Sequence, residues 1–311
     1  RMSRLTEKAS LYAYRAGWTI VRRLPARAAY GTFRAIADIM WWRRRASVRQ
    51  LEANLARVAG PLDEKMLRDL SRAGVRSYTR YWCDAFRLPD WSREEIIRRV
   101  RPVHAERLSD PIAAGRGVVV ALPHMGNWDL AGAWACLTVA PLMTVAERLK
   151  PEELYTTFLA FRQDLGMIVL PHRGGNGNNL DVLAEHLNGG GLVTLPADRD
   201  LSRRGVPVRV FGETTRMPAG PALLAMRTGA VLLPATLSYE DTEPHHRLVI
   251  RFHEPIEPTE GTDRLATTTQ RLADAFAEGI SDHPADWHML QKLFLSDLSA
   301  DDPRRLGTVT S

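Results

Sequence analysis

Val118-Val119-Val120-Ala121-Leu122-Pro123-His124-Met125-Gly126-Asn127-Trp128-Asp129 is the stretch around which the chain is organised. Val118 to Leu122 form an unbroken apolar, β-branched run, the pattern of a buried strand. Pro123 ends it, and His124 falls just past the strand end, where α/β sheets place their chemistry. Gly126 permits a tight turn, Asn127 is a good N-cap, and Trp128 onward reads as helix. Asp129 then lies in the first helical turn, from where its side chain can reach back toward the His124 imidazole. A carboxylate that fixes the tautomer of a histidine and stabilises its imidazolium makes that histidine a general base. A His and an Asp five residues apart also arise by chance, and a lone His at a strand end is often structural.

Outward from this stretch, strands alternate with helices. Helix 128–138, strand 142–146, helix 151–165 and strand 167–171 follow, then helix 178–188, strand 191–196, helix 218–228 and strand 230–239. Strand 247–253, helix 262–280 and a C-terminal helix around 286–298 complete the pattern. Upstream, helices are expected at 5–24, 26–44, 47–60, 63–88, 92–100 and 104–114. Such alternation predicts an α/β fold, a mostly parallel central sheet flanked by helices, preceded by an N-terminal helical basic segment. The expected division is a membrane-facing helical segment over 1–100, an α/β core over 101–298 and a loose tail over 299–311, integrated as one domain. The last two strands, joined through Asp241–His245, read as an antiparallel edge.

At 311 residues, 45% hydrophobic and 25% charged, the chain can bury a large core. Two distant cysteines, Cys83 and Cys136, form no CxxC pair, which points to a reducing compartment and away from a cysteine-rich zinc site. No run of eighteen or more apolar residues reads as a membrane span, and the start lacks the compact apolar core of a signal peptide. Charge is uneven: residues 1–50 hold twelve Lys or Arg against Glu7 and Asp38, a net of +10, while the whole chain carries +6. Helices 5–24 and 26–44 place Trp18, Phe33, Ile36, Met40, Trp41 and Trp42 among these cations. Two readings stand: helices lying in the interface of an anionic membrane, or a helical cap whose aromatic face packs on the domain. No nucleic-acid motif accompanies the charge, so nucleic acid is not an expected partner.

Other candidate sites sit at other strand ends. Ala197-Asp198-Arg199-Asp200 follows strand 191–196. Asp198 there could help hold the dyad, bind a sugar hydroxyl or occupy a plain surface turn, and Arg199 could pair with a phosphate or an acid. Glu147-Arg148 follows strand 142–146 in the same topological position, and Arg162 lies on helix 151–165. Arg173-Gly-Gly-Asn-Gly-Asn178 is either a phosphate cradle or an ordinary loop. GxGxxG, P-loop, GxSxG and HExxH patterns are all absent, so no nucleotide fold of those types, serine-hydrolase elbow or catalytic metal is inferred.

The sequence Pro123-His-Met-Gly-Asn-Trp-Asp129 resembles the His-x4-Asp signature of the glycerolipid acyltransferases, most of all the lipid A late-acyltransferase branch. Leu195-Pro-Ala-Asp-Arg-Asp200, Gly205–Gly212, Met217–Ala225 and Pro234 support the match. Tyr14–Trp18, Asn54–Val58 and Ser77–Pro89 narrow it toward the actinobacterial enzymes that acylate phosphatidylinositol mannosides. This resemblance implies transfer of a fatty acyl group, usually palmitoyl, from acyl-CoA to the 6-hydroxyl of the mannose on the inositol 2-position. It implies His124 as base, Asp129 as its orienting partner, and Glu147, Arg148, Arg162 and Asp198 as polar groups lining the site, with Arg199 and Asn127 further candidates for substrate binding. Acyl-CoA is then a co-substrate and no cofactor is bound permanently. The partners are the glycolipid and an anionic membrane surface, met peripherally at the cytoplasmic face of the plasma membrane.

Two departures matter. Pro123 replaces the Asn usual before the motif histidine in the lipid A branch, which argues against a lipid A acceptor. An Asp at 198 shortens any relay relative to a Glu there. The chemistry asks for an apolar groove beside His124, with helix 130–138 as one wall, since each buried CH₂ is worth about 0.8 kcal/mol. It also asks for oxyanion donors near Gly126–Trp128 or an Arg. No acyl-enzyme is required, because neither cysteine lies in the motif. The competing readings are an acyltransferase for a lysophospholipid or lipid A-like acceptor, and a non-enzymatic anionic-lipid binding module.

Overall fold

The computed structural model describes residues 21–146, 159–160, 162–171, 179–200, 205–240, 246–302 and 305. Three long helices come first: α1 (Ala26–Arg43), α2 (Ala46–Ala59) and α3 (Glu64–Arg87). A short α4 (Arg93–Arg98) leads into strand β1 (Val100–Val103), and α5 (Glu106–Ala113) precedes β2 (Val118–Leu122). Next come α6 (Trp128–Thr138), β3 (Leu142–Ala146), β4 (Ile168–Pro171), α7 (Asn179–Asn188) and β5 (Leu192–Pro196). The chain continues through β6 (Val206–Val210), β7 (Glu213–Met217), α8 (Gly220–Thr228), β8 (Val231–Glu240), β9 (Arg247–Phe252) and α9 (Arg264–Asp282).

Seven strands form one sheet in the order β1-β9-β8-β2-β5-β3-β4. Every neighbouring pair is parallel except β8 and β9. This is the α/β class that the alternation predicted. β2 lies at the centre, and its side chains alternate between two cores. Val119 and Ala121 join one with Phe276, Leu224 and Trp287; Val118, Val120 and Leu122 join the other with Leu130, Trp134 and Phe252. Covering both faces is what makes an unbroken apolar run favourable there.

Two expectations are corrected, and one element between them was not anticipated. The residues at 100–103, expected as the last residue of a helix and a turn, form β1, which pairs with β9 and takes the edge position expected of β9. Val206–Met217 is a hairpin whose two-residue turn, Phe211-Gly212, has positive φ at both positions, 52° and 81°. That geometry suits the twist of paired strands and usually recruits Asn-Gly, so Phe211 conceals it from sequence reading. Finally, 286–298 is not a helix. Two short 3-10 turns, Pro284–Asp286 and Leu295–Asp297, flank an irregular run. Met125 bridges Trp287 in antiparallel fashion, Gly126 N–H donates to Asp286 O at 2.9 Å, and His288 N–H donates to His124 O at 2.8 Å. Pairing with the His124 turn satisfies the backbone groups that a helix would otherwise use.

The N-terminal helices hold the same segment from the other side. Asn54 Nδ2 donates to Met289 O and Gln291 O at 2.8 and 3.0 Å, and Arg57 bridges Glu213 and Asp297, each at 2.7 Å. Of the adjacent tryptophans, Trp41 packs on α3, its Nε1 donating to Ser71 Oγ at 3.0 Å, whereas Trp42 is 76% exposed. Almost all of the expected helix 5–24, most of helix 151–165 and all of the loop 173–178 lie outside the described residues, as does the Asp241–His245 connection.

Candidate active site

β2 and β5 are hydrogen-bonded neighbours with Leu122 opposite Pro196, and Ala197 N–H donates to Leu122 O at 2.8 Å. His124 and Asp198 each stand two residues beyond that register pair, so the parallel sheet delivers them to the same place. Asp198 Oδ1 lies 2.5 Å from His124 Nδ1, and Asp198 Oδ2 accepts from the His124 main-chain N–H and from Trp287 Nε1, each at 3.0 Å. The sequence reading gave the orienting role to Asp129; the carboxylate on the His124 ring is Asp198. Burial works against the charge of Asp198, yet the His124 ring, Trp287 Nε1 and the His124 main-chain N–H hold its carboxyl below the usual carboxylate range. With Nδ1–H committed to a carboxylate, neutral His124 carries its lone pair on Nε2. The histidine side chain is 27% exposed, so that nitrogen belongs to a reachable ring.

Asp129 faces the other way. Its Oδ2 accepts from Tyr81 Oη at 2.9 Å and its Oδ1 from Arg162 Nε at 2.8 Å, and the residue is buried. Being in the first helical turn sets its direction: the side chain projects toward α3 rather than back over the strand end. Burial and the adjacent Asp129 push the Tyr81 phenol well above its ordinary value, so Tyr81 remains a donor. Asn127 caps α6, accepting from Leu130 N–H at 2.9 Å, and Gly126 occupies φ 57°. A Cβ at Gly126 would meet Leu237 Cβ at 2.8 Å, so glycine is required both by the turn and by the close approach of β8. The N–H of Gly126, one of the expected oxyanion donors, is already bonded to Asp286 O.

A cavity of about 400 Å³ opens beside His124 and runs into the core. Val120, Leu122, Trp134, Leu192, Ile250 and Phe252 line its depth, and Arg162 and Arg199 stand on its polar wall. Volume and lining suit an elongated apolar ligand with a polar end. Trp128, stacked on Tyr81 with ring centroids 4.3 Å apart, lies edge-on to His124 at 5.7 Å. The cavity therefore brings together His124, Asp129, Arg162 and Arg199, with Asp198 directly behind His124. Asn127 is fully buried at the cap, its Nδ2 without a hydrogen-bond partner among the described residues. Glu147 and Arg148 lie outside the described residues.

Sequence reasoning missed Trp287 and His288. Their signal, an Asp286-Trp287-His288 run of polar and aromatic residues just after Pro284, was absorbed into an expected helix. Ser77 donates to Asp286 Oδ1 at 2.6 Å and faces His288 Nε2 at 2.9 Å. Because the serine proton goes to the carboxylate, its oxygen accepts from His288 Nε2–H, which leaves Nδ1 as the acceptor. Burial, reinforced by nearby His124, pushes the His288 imidazole down to about 3. Between that value and about 6.5, the unfolded chain binds a proton that the folded chain refuses. The His288 contribution is therefore whole above pH 6.5 and shrinks by about 1.4 kcal/mol per unit as pH falls toward 3. The stability lost between pH 7 and pH 5, read by urea unfolding, should be about 2 kcal/mol larger in the wild type than in His288→Gln.

A mostly parallel α/β sheet with a carboxylate-held histidine at the mouth of a deep apolar cavity suits a hydrolase or transferase acting on apolar-chain substrates. Comparison with known proteins decides between them: the family described as "Bacterial lipid A biosynthesis acyltransferase" matches residues 1–296. The chain belongs to that family and is an acyltransferase. It shares 44% identity over 295 residues with the phosphatidylinositol mannoside acyltransferase of Mycolicibacterium smegmatis, covering 95% of this chain and 94% of that one. Identity to the enzyme of the same name from Mycobacterium tuberculosis strain H37Rv is also 44%, over 299 residues, 96% of this chain and 92% of that one.

Proposed function

We propose that this acyltransferase moves a fatty acyl group, palmitoyl by preference, from acyl-CoA to the 6-hydroxyl of the mannose on the inositol 2-position of a phosphatidylinositol mannoside. The observation that carries this reading is the His124–Asp198 pair at the mouth of the apolar cavity, joined to the names of the relatives. The acyl chain lies along the cavity, with its thioester carbonyl at the polar end. His124 Nε2 takes the proton of the acceptor hydroxyl as its oxygen attacks the carbonyl carbon. The oxyanion is stabilised by amides in the first turn of α6 or by Arg199. As the carbon–sulfur bond breaks, the imidazolium returns the proton to the departing thiolate. Asp198 stays ionised and holds the imidazolium. No acyl-enzyme forms, because attack is direct. The test is release of CoA thiol from palmitoyl-CoA with and without phosphatidylinositol mannoside. Acceptor-dependent release, with acylated glycolipid seen by mass spectrometry, is expected. Release that ignores the acceptor, or none at all, overturns the reading.

The site of action is the cytoplasmic surface of an anionic membrane, met peripherally. No helix among the described residues is long and apolar enough to cross a bilayer. Helix α1 instead exposes Ile36, Ile39 and Trp42 along one flank, next to Arg43, Arg44 and Arg45. An apolar stripe bordered by cations suits the headgroup–acyl boundary. Replacing Trp42 and Ile39 together by Glu should lower flotation with phosphatidylinositol vesicles at least tenfold while thermal unfolding stays unchanged; full flotation would remove α1 from the docking surface.

A further inference from the structure

A second cleft of about 620 Å³ lies between α1 and α3, separate from the acyl cavity, and none of the steps above uses it. Its wall is one face of α3, which carries Arg72, Arg76 and Arg80 one helical turn apart. Arg72 and Arg76 both clasp a single carboxylate, Asp38 of α1, each through Nε and Nη2 at 2.7–3.0 Å. Two guanidiniums thus share one anion, and each keeps further N–H donors beyond the two it uses. Arg34, one turn before Asp38, adds an exposed fourth guanidinium at the rim. Asp69 on the rim is paired with Lys65 at 3.1 Å.

The remaining carboxylates lie beneath the cleft and are occupied. Asp84 accepts from Tyr30 at 2.5 Å and has Arg80 at 3.9 Å; Asp286 accepts from Ser77 and from Tyr239 N–H at 2.6 and 2.9 Å. Both are buried, so on the surface that a ligand meets the guanidiniums of Arg34, Arg72 and Arg76 outnumber the exposed carboxylates of Asp38 and Asp69. Tyr30 and Phe33 add apolar ring surface, and His246 stands at the rim, edge-on to Tyr30 at 6.2 Å. The floor is Ser77 and Asp286, whose hydrogen bonds continue to His288 in the wall of the catalytic cavity.

We infer that this cleft binds a phosphate ester of a substrate, with Arg34 and Arg72 as its accessible donors and the Tyr30–Phe33 surface beside them. Planar guanidiniums spaced along one helix match phosphate oxygens bidentately, and the shared wall at Ser77 and His288 places the anion next to the chemistry. Two substrate parts carry such an ester: the nucleotide of an acyl-CoA donor and the phosphodiester of a phosphoinositol acceptor. The choice between them rests on the acyl-transfer reading; the anion chemistry of the cleft does not.

The experiment uses the whole protein and two soluble probes, adenosine 3′,5′-bisphosphate and glycerophosphoinositol, titrated into the wild type, Arg34→Gln, Arg72→Gln and the control Arg116→Gln. Arg76 still holds Asp38 in Arg72→Gln, so the helix pair keeps its ion pair. We expect one probe to bind about tenfold more weakly in each cleft variant, with Arg116→Gln unchanged. KM for the matching substrate should rise by a similar factor while kcat holds. Loss of bisphosphate affinity assigns the donor nucleotide; loss of glycerophosphoinositol affinity assigns the acceptor. If neither titration nor either KM distinguishes the cleft variants from the wild type, the cleft binds no substrate phosphate. Because the titrations need no turnover, they stand even if the enzyme transfers no acyl group in the CoA-release assay.

Discussion

His124→Ala is expected to lower the rate of acceptor-dependent CoA release by about 10²–10⁴-fold while leaving the fold intact, the range removed with a positioned general base. The imidazole stands at the cavity mouth and is partly exposed, so its loss leaves a space that water can enter, and the main-chain bonds of residue 124 to Asp198 and His288 persist. Asp198→Asn reaches a similar loss by another route. Three donors converge on the two oxygens of Asp198, and an amide offers only one oxygen to them. Its NH₂ would then oppose an N–H, either turning the imidazole away or forcing the proton onto Nε2, where the lone pair is needed. The expected readout is a fall in kcat in both variants, with an altered pH–rate profile in Asp198→Asn. A His124→Ala variant that retains more than a tenth of wild-type turnover would show that the base lies elsewhere.

Asp129→Ala acts on stability first. Removing this carboxylate leaves a largely buried guanidinium at Arg162 and a buried phenol at Tyr81 without their shared acceptor. Breaking one side of a buried ion pair costs at most about 3–5 kcal/mol, and the 18% exposure of Arg162 places this pair at the lower end. The urea midpoint should fall accordingly. Asp129→Asn, which keeps one oxygen and most of the volume, should lose less. The pH–rate profile separates the two carboxylates: if Asp129 acts by holding the cavity wall, its shape in Asp129→Asn matches the wild type, whereas direct coupling to His124 would shift it. The same contrast explains why a His-x4-Asp spacing is informative without being a dyad. The turn after β2 carries His124, whereas the helix that begins at Trp128 carries Asp129 and points it toward α3.

Much of this protein follows from local chain properties. The all-apolar run of β2, the proline that ends it, the Asn127 cap and the apolar–polar alternation downstream placed β2, α6 and β3 at their observed bounds. They also placed His124 just past a strand end, beside the apolar cavity. These are properties of neighbouring residues, and periodicity and capping report them. The sequence likewise revealed the family, through the block around His124 and the block from Leu195 to Gly212, and the uneven charge that marks the N-terminal helices.

What only the tertiary structure decided concerns partners distant along the chain. Strand order sets β5 beside β2 although α6, β3, β4 and α7 intervene, and that adjacency gives His124 to Asp198 rather than to Asp129. The pairing of 286–288 with 124–126 overrode a helical pattern and brought Trp287 and His288 to the site. β1 exists because β9 offers it an edge, and the cleft exists because α1 lies against α3. In each case the deciding free energy comes from contacts between segments far apart in sequence, so a window of neighbouring residues carries no record of them.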